Sequence, residues 1–216
     1  MSDKYENIIE ERIANGREYR KINIANIEAR AEAEGEMIVE GYATTFNEPY
    51  VLYDDGHWQM IEQVDARAFD NTDISDVIFQ YDHQGRVFAR NKNGTLELET
   101  DSHGLKIRAD LSGTSQGREL FEEIKGGYTD KMSFGFVVDG DERTYFEENG
   151  VEGVRRTITS IKKLYDVSAV SIPANDATEI SARNLGEGVF AEIKAERKRA
   201  EERANEIKRI KLMMEV

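Results

Sequence analysis

Short runs in which apolar and polar positions alternate dominate this chain, and few stretches carry helical spacing. Residues 18–29 place Ile22 and Ile24 on one face at strand spacing. The small, acidic run 29–36 reads as a turn and 37–46 as the returning strand, which together predict a hairpin. A further strand is expected at 58–64, followed by a short helix over 66–71. Val77-Ile-Phe-Gln-Tyr81 is a compact apolar strand. Residues 95–99 and 105–111 alternate, and Thr100-Asp-Ser-His-Gly104 between them is rich in turn formers. Over 114–125 the spacing changes: Leu120, Phe121 and Ile124 form a helical stripe, Thr114 or Ser115 can cap it, and Gly126-Gly127 can stop it. Strands follow at 132–138, 143–146, 154–161 and 164–172, the middle pair joined through Glu147-Glu-Asn-Gly150. Many short strands with one or two helices predict an α+β, mostly-β domain and not a doubly wound parallel sheet.

The two ends differ from this middle. Residues 1–17 are charged with scattered Ile, and read as an N-terminal extension, either a short helix or a disordered lead. Residues 184–216 read as a charged C-terminal tail. From 186 onward it holds 8 Lys/Arg and 7 Asp/Glu, with Ile193, Ala200, Ile207 and Met214 seven residues apart. That is an amphipathic helix whose second seam position holds Glu196 and Arg203. It either rests on the domain or serves as a docking tail. The domain proper is expected at 18–183.

Composition narrows the function. The 216 residues contain no cysteine, so a thiol nucleophile, a disulfide frame and a Cys-ligated zinc site are excluded. A formal net charge of −14 argues against a general nucleic-acid binder. No apolar run approaches bilayer length, and MSDKYENIIEER lacks the apolar core of a signal peptide. No membrane or nucleic-acid partner is therefore expected.

Three strands each deliver one polar residue. Ser133 lies in Met132-Ser-Phe-Gly-Phe136, where alternation puts it with Gly135 opposite the aromatic face. The glycine leaves room for a substrate backbone, although a lone strand serine is usually inert. His83 is read as the end of the strand Val77–His83 and is one of only three histidines. His103 sits in a turn. His57 sits in Asp54-Asp-Gly-His-Trp58, which lacks the spacing of a metal site. Asp166 opens Asp166-Val-Ser-Ala-Val-Ser-Ile-Pro173. It is either an edge carboxylate facing water or a buried one that needs a partner such as a histidine. A nucleophile, a base and an orienting acid recur on unrelated folds, so chain order distinguishes families. The order His, Ser, Asp is unlike that of trypsin-type, subtilisin-type or α/β-hydrolase chains, and Ser133 has no Gly-x-Ser-x-Gly elbow.

An ordered set of motifs carries a resemblance. It comprises Glu40-Gly-Tyr-Ala43 with Phe46-Asn47, the His83 strand, Asn93-Gly-Thr-Leu-Glu-Leu98 and Asp101-Ser-His-Gly-Leu105. The helix with Gly127, Ser133-Phe-Gly-Phe136 and Val167-Ser-Ala-Val-Ser-Ile-Pro-Ala174 complete it. Over roughly 37–183 the chain resembles the tailed-phage prohead maturation proteases, serine peptidases of the herpesvirus-assemblin type. The resemblance implies an assemblin-like closed β-barrel flanked by helices, with Ser133 as nucleophile, His83 as general base and Asp166 as third member. It implies a serine endopeptidase that cleaves an internal scaffold, and itself, without metal or cofactor. The implied partners are the scaffold domain of a major capsid protein or a separate scaffold protein, in a portal-containing prohead in the host cytoplasm, with a homo-oligomer as an option. Family members often carry Glu at the third position, so the shorter Asp166 requires its strand to stand closer to His83. Two rivals stand beside this expectation: an inactive capsid-assembly protein on the same fold, and an esterase or other serine hydrolase.

Overall fold

The alternation over 18–46 resolves into two antiparallel strands, β1 (Glu18–Arg30) and β2 (Ile38–Thr45), paired from Ile27 with Gly41 to Arg30 with Ile38. A computed structural model describes residues 16–30, 35–54 and 56–170, together with Ala195, Lys198, Arg199, Glu202, Arg203, Glu206 and Ile207. These seven isolated positions are helical and exposed. The rest of that seam, residues 1–15 and the side chains of 21–26, where Ile22 and Ile24 lie, fall outside the described residues.

The remaining elements are β3 (Tyr50–Asp54), β4 (Trp58–Val64), β5 (Ile78–Tyr81), β6 (Gln84–Arg90), β7 (Leu96–Thr100), β8 (Gly104–Asp110), the helix α1 (Ser115–Lys125), β9 (Lys131–Glu148) and β10 (Val151–Val170). The architecture is α+β and mostly β. The hydrogen-bonded path runs β3-β4-β10-β9-β1-β2-β8-β7, with β5 and β6 attached to β10. Among the described residues no ladder joins β3 to β7, so the closure of the expected β-barrel is not found in this pairing. β1 is the corner strand: its first half pairs with β9, its second with β2, and the register breaks between Ile22 and Asn26.

The helix forms for the reasons its sequence suggests. Thr114 Oγ1 accepts from the Gly117 amide at 2.9 Å, the Gly126 amide closes on Glu122, and Leu120, Phe121 and Ile124 enter the core. That core also holds Val39, Phe79, Ile107, Phe134, Phe136 and Leu164, with Phe134 and Phe136 stacked 4.4 Å apart. A smaller cluster of Trp58, Met60 and Val154 lies under the outer part of the β9–β10 hairpin.

Several expectations differ. The four late strands are two long ones: around Asp139–Glu142 and Lys162–Lys163 the apolar pattern lapses and the ladder shifts register between Ile158 and Asp166, but pairing resumes on either side, so neither strand ends there. Their turn is the expected one, with Asn149 and Gly150 at φ 54° and 80°. The helix expected at 66–71 is a series of turns. Ala68, Asp70 and Thr72 each bond three residues back, while Ile161 and the Thr72 hydroxyl tie the segment to β10. Its polar groups are thus engaged sideways and not in a helical ladder. β3 and β6 were not expected. The Gly85-Arg86 start of β6 hides its short alternation.

A buried ionic cluster ties β1, β3, β4, β9 and β10 together. Glu62 is fully buried, and Arg20 and Arg156 are nearly so. Arg20 grips Glu62 through Nε and Nη2 and also meets Glu18. Arg156 reaches Glu18 Oε2 at 2.8 Å, Glu62 Oε2 at 2.9 Å and Asp141 Oδ2 at 2.5 Å. The Tyr50 hydroxyl donates to Glu62 Oε1 at 2.6 Å. Burying charge is costly, and breaking a buried set by removing one partner costs more. Burial works to raise the Glu18 carboxyl, but Arg20's charge and the bonds from Arg156 and Arg20 outweigh it and hold it at about 2. A depressed carboxyl contributes stability that is present above its ordinary value of 4.5 and is lost as pH falls toward 2. Glu18→Gln is expected to lose about 3 kcal/mol at pH 7. Its stability should then decline less than the wild type's between pH 4.5 and 2, as read by denaturant unfolding across that range.

Candidate active site

β10 lies between β9, its antiparallel neighbour, and β5, its parallel one, so three adjacent strands converge on one spot. Asp166 sits opposite Gly135 on β9 and Ile78 on β5, and Ser168 sits opposite Ser133. His83 does not extend β5. With Asp82 it forms the two-residue turn from β5 into β6, at φ 49° for Asp82 and 59° for His83, while Tyr81 pairs with Gln84. Positive φ at both positions matches the right-handed twist of a hairpin, and Asp and His tolerate this left-handed region better than most residues. The Asp82 amide bonds to the Ala169 carbonyl at 3.0 Å, which pins the turn to β10.

The turn brings the imidazole between the other two side chains. His83 Nδ1 lies 2.5 Å from Asp166 Oδ1, and His83 Nε2 lies 2.5 Å from Ser133 Oγ. With the Nδ1 proton donated to the carboxylate, Nε2 is the acceptor that faces the serine hydroxyl. Asp166 is 1% exposed and Ser133 2%, with the His83 side chain at 12%. Burial works to raise the Asp166 carboxyl, but the charge of His83 and hydrogen bonds from His83 and Ser168 hold it below the usual value. The Ser168 hydroxyl, fully buried, donates to Asp166 Oδ1 at 3.0 Å. All three residues singled out from the sequence are thus in contact, and the shorter Asp reaches the imidazole because β5 is paired directly with β10.

The sequence did not assign a site role to Ser168, Tyr19 or Arg20. Alternation places Ser168 on the face of Asp166, which was the available signal. The space beside Gly135 is not open to a substrate as expected. A side chain there would collide with Asp166 Oδ2 and come within 2.8 Å of the Tyr19 ring. Tyr19 lies over His83, ring centroids 4.5 Å apart. The Ser133 hydroxyl lies 2.7 Å from the Arg20 carbonyl, so its single proton has two acceptors, that oxygen and His83 Nε2. Arg17 stacks on Tyr165 and approaches Asp166 Oδ2 at 4.0 Å.

The other candidates lie elsewhere. Asp54 ends β3 and Trp58 opens β4, and Asp54 accepts from Gly56 and Gln59. His103 packs edge-on against Tyr42 in the β7–β8 turn. Among the described residues no group of three or more His, Asp or Glu is placed to hold a metal. The adjacent arginines of β10 part company: Arg156 is buried in the ionic cluster and Arg155 lies over Phe146. Gly135→Ala tests how tightly the site is fitted. Its methyl group displaces Asp166, so it is expected to lower kcat roughly 100-fold or more while costing about 1–3 kcal/mol of stability, measured by peptide hydrolysis and denaturant unfolding.

Comparison with known proteins agrees with the geometry. The sequence profile described as caudovirus prohead serine protease matches residues 25–189 of the 216. The interval contains His83, Ser133 and Asp166 and begins within β1. No curated protein and no solved structure gives a significant match. Among the described residues no helix is long and apolar enough to cross a membrane. With three quarters of its length matched, and the serine, histidine and aspartate of that interval in mutual contact, the chain belongs to the caudovirus prohead serine protease family.

Proposed function

We propose that this protein is a serine endopeptidase that cleaves the internal scaffold of a phage prohead, and itself, with Ser133, His83 and Asp166 as its catalytic residues. The observation that carries this reading is the continuous chain of contacts Ser133 Oγ, His83 Nε2, His83 Nδ1, Asp166 Oδ1. His83 Nε2 takes the Ser133 proton as Oγ attacks a peptide carbonyl carbon. As the C–N bond breaks, the proton passes to the leaving amine and a Ser133 ester remains. Water, deprotonated by His83, then hydrolyses the ester and restores the serine. Asp166 fixes the Nδ1–H tautomer and stabilises the imidazolium that forms between the two transfers.

The fold supporting this chemistry is, on the same reading, an assemblin-like barrel over 18–183, with β1 turning the corner between its two halves. The tail 184–216 serves as a docking helix for the scaffold domain of a major capsid protein or a separate scaffold protein. That would carry the enzyme into the portal-containing prohead in the host cytoplasm, alone or as a homo-oligomer, and raise its effective concentration at the substrate.

One observation favours a second reading, an assembly protein without activity: Ser133 is 2% exposed, with its hydroxyl against the Arg20 carbonyl and Tyr19 over the His83 ring. A fluorophosphonate label separates the two, because it reacts with a serine activated by its base. Ser133→Ala and His83→Ala are each expected to lower scaffold cleavage by roughly 10^4- to 10^6-fold with the fold retained. Asp166→Asn should lose less, roughly 10^2- to 10^4-fold, since it orients and stabilises without transferring the proton. Full activity in either of the first two variants removes the assignment. Deleting 186–216 should leave a folded core that fails to enter assembling capsids, as scored by protease content of purified proheads. Packaging equal to the full chain refutes the docking role.

A further inference from the structure

The first half of β1 lies outside the family-matched interval, and the register of its pairing with β9 is lost between Ile22 and Asn26. This segment runs along β9 with Lys21 opposite Ser133 and Arg20 opposite Phe134. The Arg20 carbonyl accepts from Ser133 Oγ at 2.7 Å, and Tyr19 covers the His83 ring. An extended peptide is therefore already laid across the nucleophile and the base, with one carbonyl turned to the nucleophile. The side chain of that same residue enters the pocket of Glu62 and Tyr50.

We propose that residues 17–22 occupy the peptide-binding groove of this site, and that Glu62 makes its pocket selective for Arg or Lys on the residue whose carbonyl faces Ser133. The proposal rests on the endopeptidase reading and names its substrate class: an extended chain with a basic residue before the scissile bond.

The charges support an exchangeable occupant. Glu18 and Arg20 leave the cluster together when the segment leaves, one charge of each sign. Arg156 then serves both Glu62 and Asp141, while Asp141 keeps Arg143 as a second cation and Glu62 has no second one among the described residues. Arg156 Nε remains on Asp141 at 2.5 Å and Nη1 on Glu62 Oε2 at 2.9 Å. Glu62 Oε1 keeps the Tyr50 hydroxyl at 2.6 Å but no cation. A buried carboxylate left so under-compensated favours an incoming cation over an apolar or acidic side chain. A planar guanidinium, which meets Glu62 through two nitrogens in Arg20, fits better than an ammonium. Main-chain bonds to β9 supply affinity for any extended peptide, and the pocket supplies the choice. A tethered occupant competes at high effective concentration, which accounts for the near-complete burial of Ser133.

The test uses the full chain and fluorophosphonate labelling of Ser133, with Ser133→Ala as the blank. The competitors are peptide aldehydes that add reversibly to Ser133 Oγ. One copies residues 16–20, Gly-Arg-Glu-Tyr-Arg with a C-terminal aldehyde, and the others end in Lys or Met instead. In Arg20→Met, whose own segment has lost its grip on Glu62, the Arg aldehyde is expected to block labelling at a concentration at least about tenfold lower than the Met aldehyde, with Lys between. Adding Glu62→Gln should bring that ratio to about one. The wild-type chain should rank the aldehydes in the same order at higher concentrations, so the result does not hang on the folding of either variant. Equal potency of the Arg and Met aldehydes, with labelling still dependent on Ser133, overturns the pocket and leaves the endopeptidase standing. Absence of Ser133-dependent labelling in every form overturns both.

Discussion

Asp166 is a carboxylate held at 1% exposure where three strands meet, and the arrangement around it follows from that burial. A charge there is tolerable only if it is met by donors and by an opposite charge. Ser168, two residues along the same strand, supplies one donor. The other is the imidazole, and for it to arrive the chain must reverse immediately after β5, in a turn that forces two ordinary residues to positive φ. On the far side β9 must approach without a side chain, which is why position 135 is glycine. The serine is placed by the same ladder, since Ser133 pairs with Ser168.

The parts legible in the sequence are those governed by local chemistry. The helix 115–125 could be read because its cap, its apolar stripe and its glycine stop are neighbours in the chain. The strand at 58–64 and the turn at 149–150 were legible for the same reason. His83, Ser133 and Asp166 could be named from strand patterning and from an ordered family resemblance, although neither carries the distances between them. What stayed hidden depends on pairing between remote segments. The turns at 66–71 have helix-like composition, but bonds to Ile161 decide their conformation. Arg156 reads as a surface residue until Glu18, Glu62 and Asp141 are brought around it from three other strands. Tyr19 and Arg20 belong to a stretch with no recognisable motif, and their place over the site depends wholly on the β1–β9 register.

β1 connects these two levels. Its second half belongs to the β2–β8–β7 side of the sheet path, and its first half joins β9. The side chain of Arg20 therefore lies in the ionic cluster while its carbonyl faces the nucleophile. The chemistry of the site and the electrostatics of the core share one residue through different atoms, so a change at either is expected to be felt at the other through Arg20.

The β9–β10 hairpin also crosses from one hydrophobic cluster to another. Its inner half is embedded in the main core and carries Ser133 and Asp166, whereas toward its outer end apolar burial narrows to the small cluster in which Val154 of β10 meets Trp58 and Met60 of the neighbouring β4. Such a ribbon need not open as one piece. Its outer end, having little apolar burial, should exchange its amide protons through local excursions much cheaper than global unfolding. The ionic cluster, with Asp141 and Arg156 on the hairpin itself, lies where those excursions meet the core. The hairpin then carries a gradient of opening free energy along its length, low at the tip and steep at the cluster, and thermal motion of the outer arm is damped before it reaches the serine.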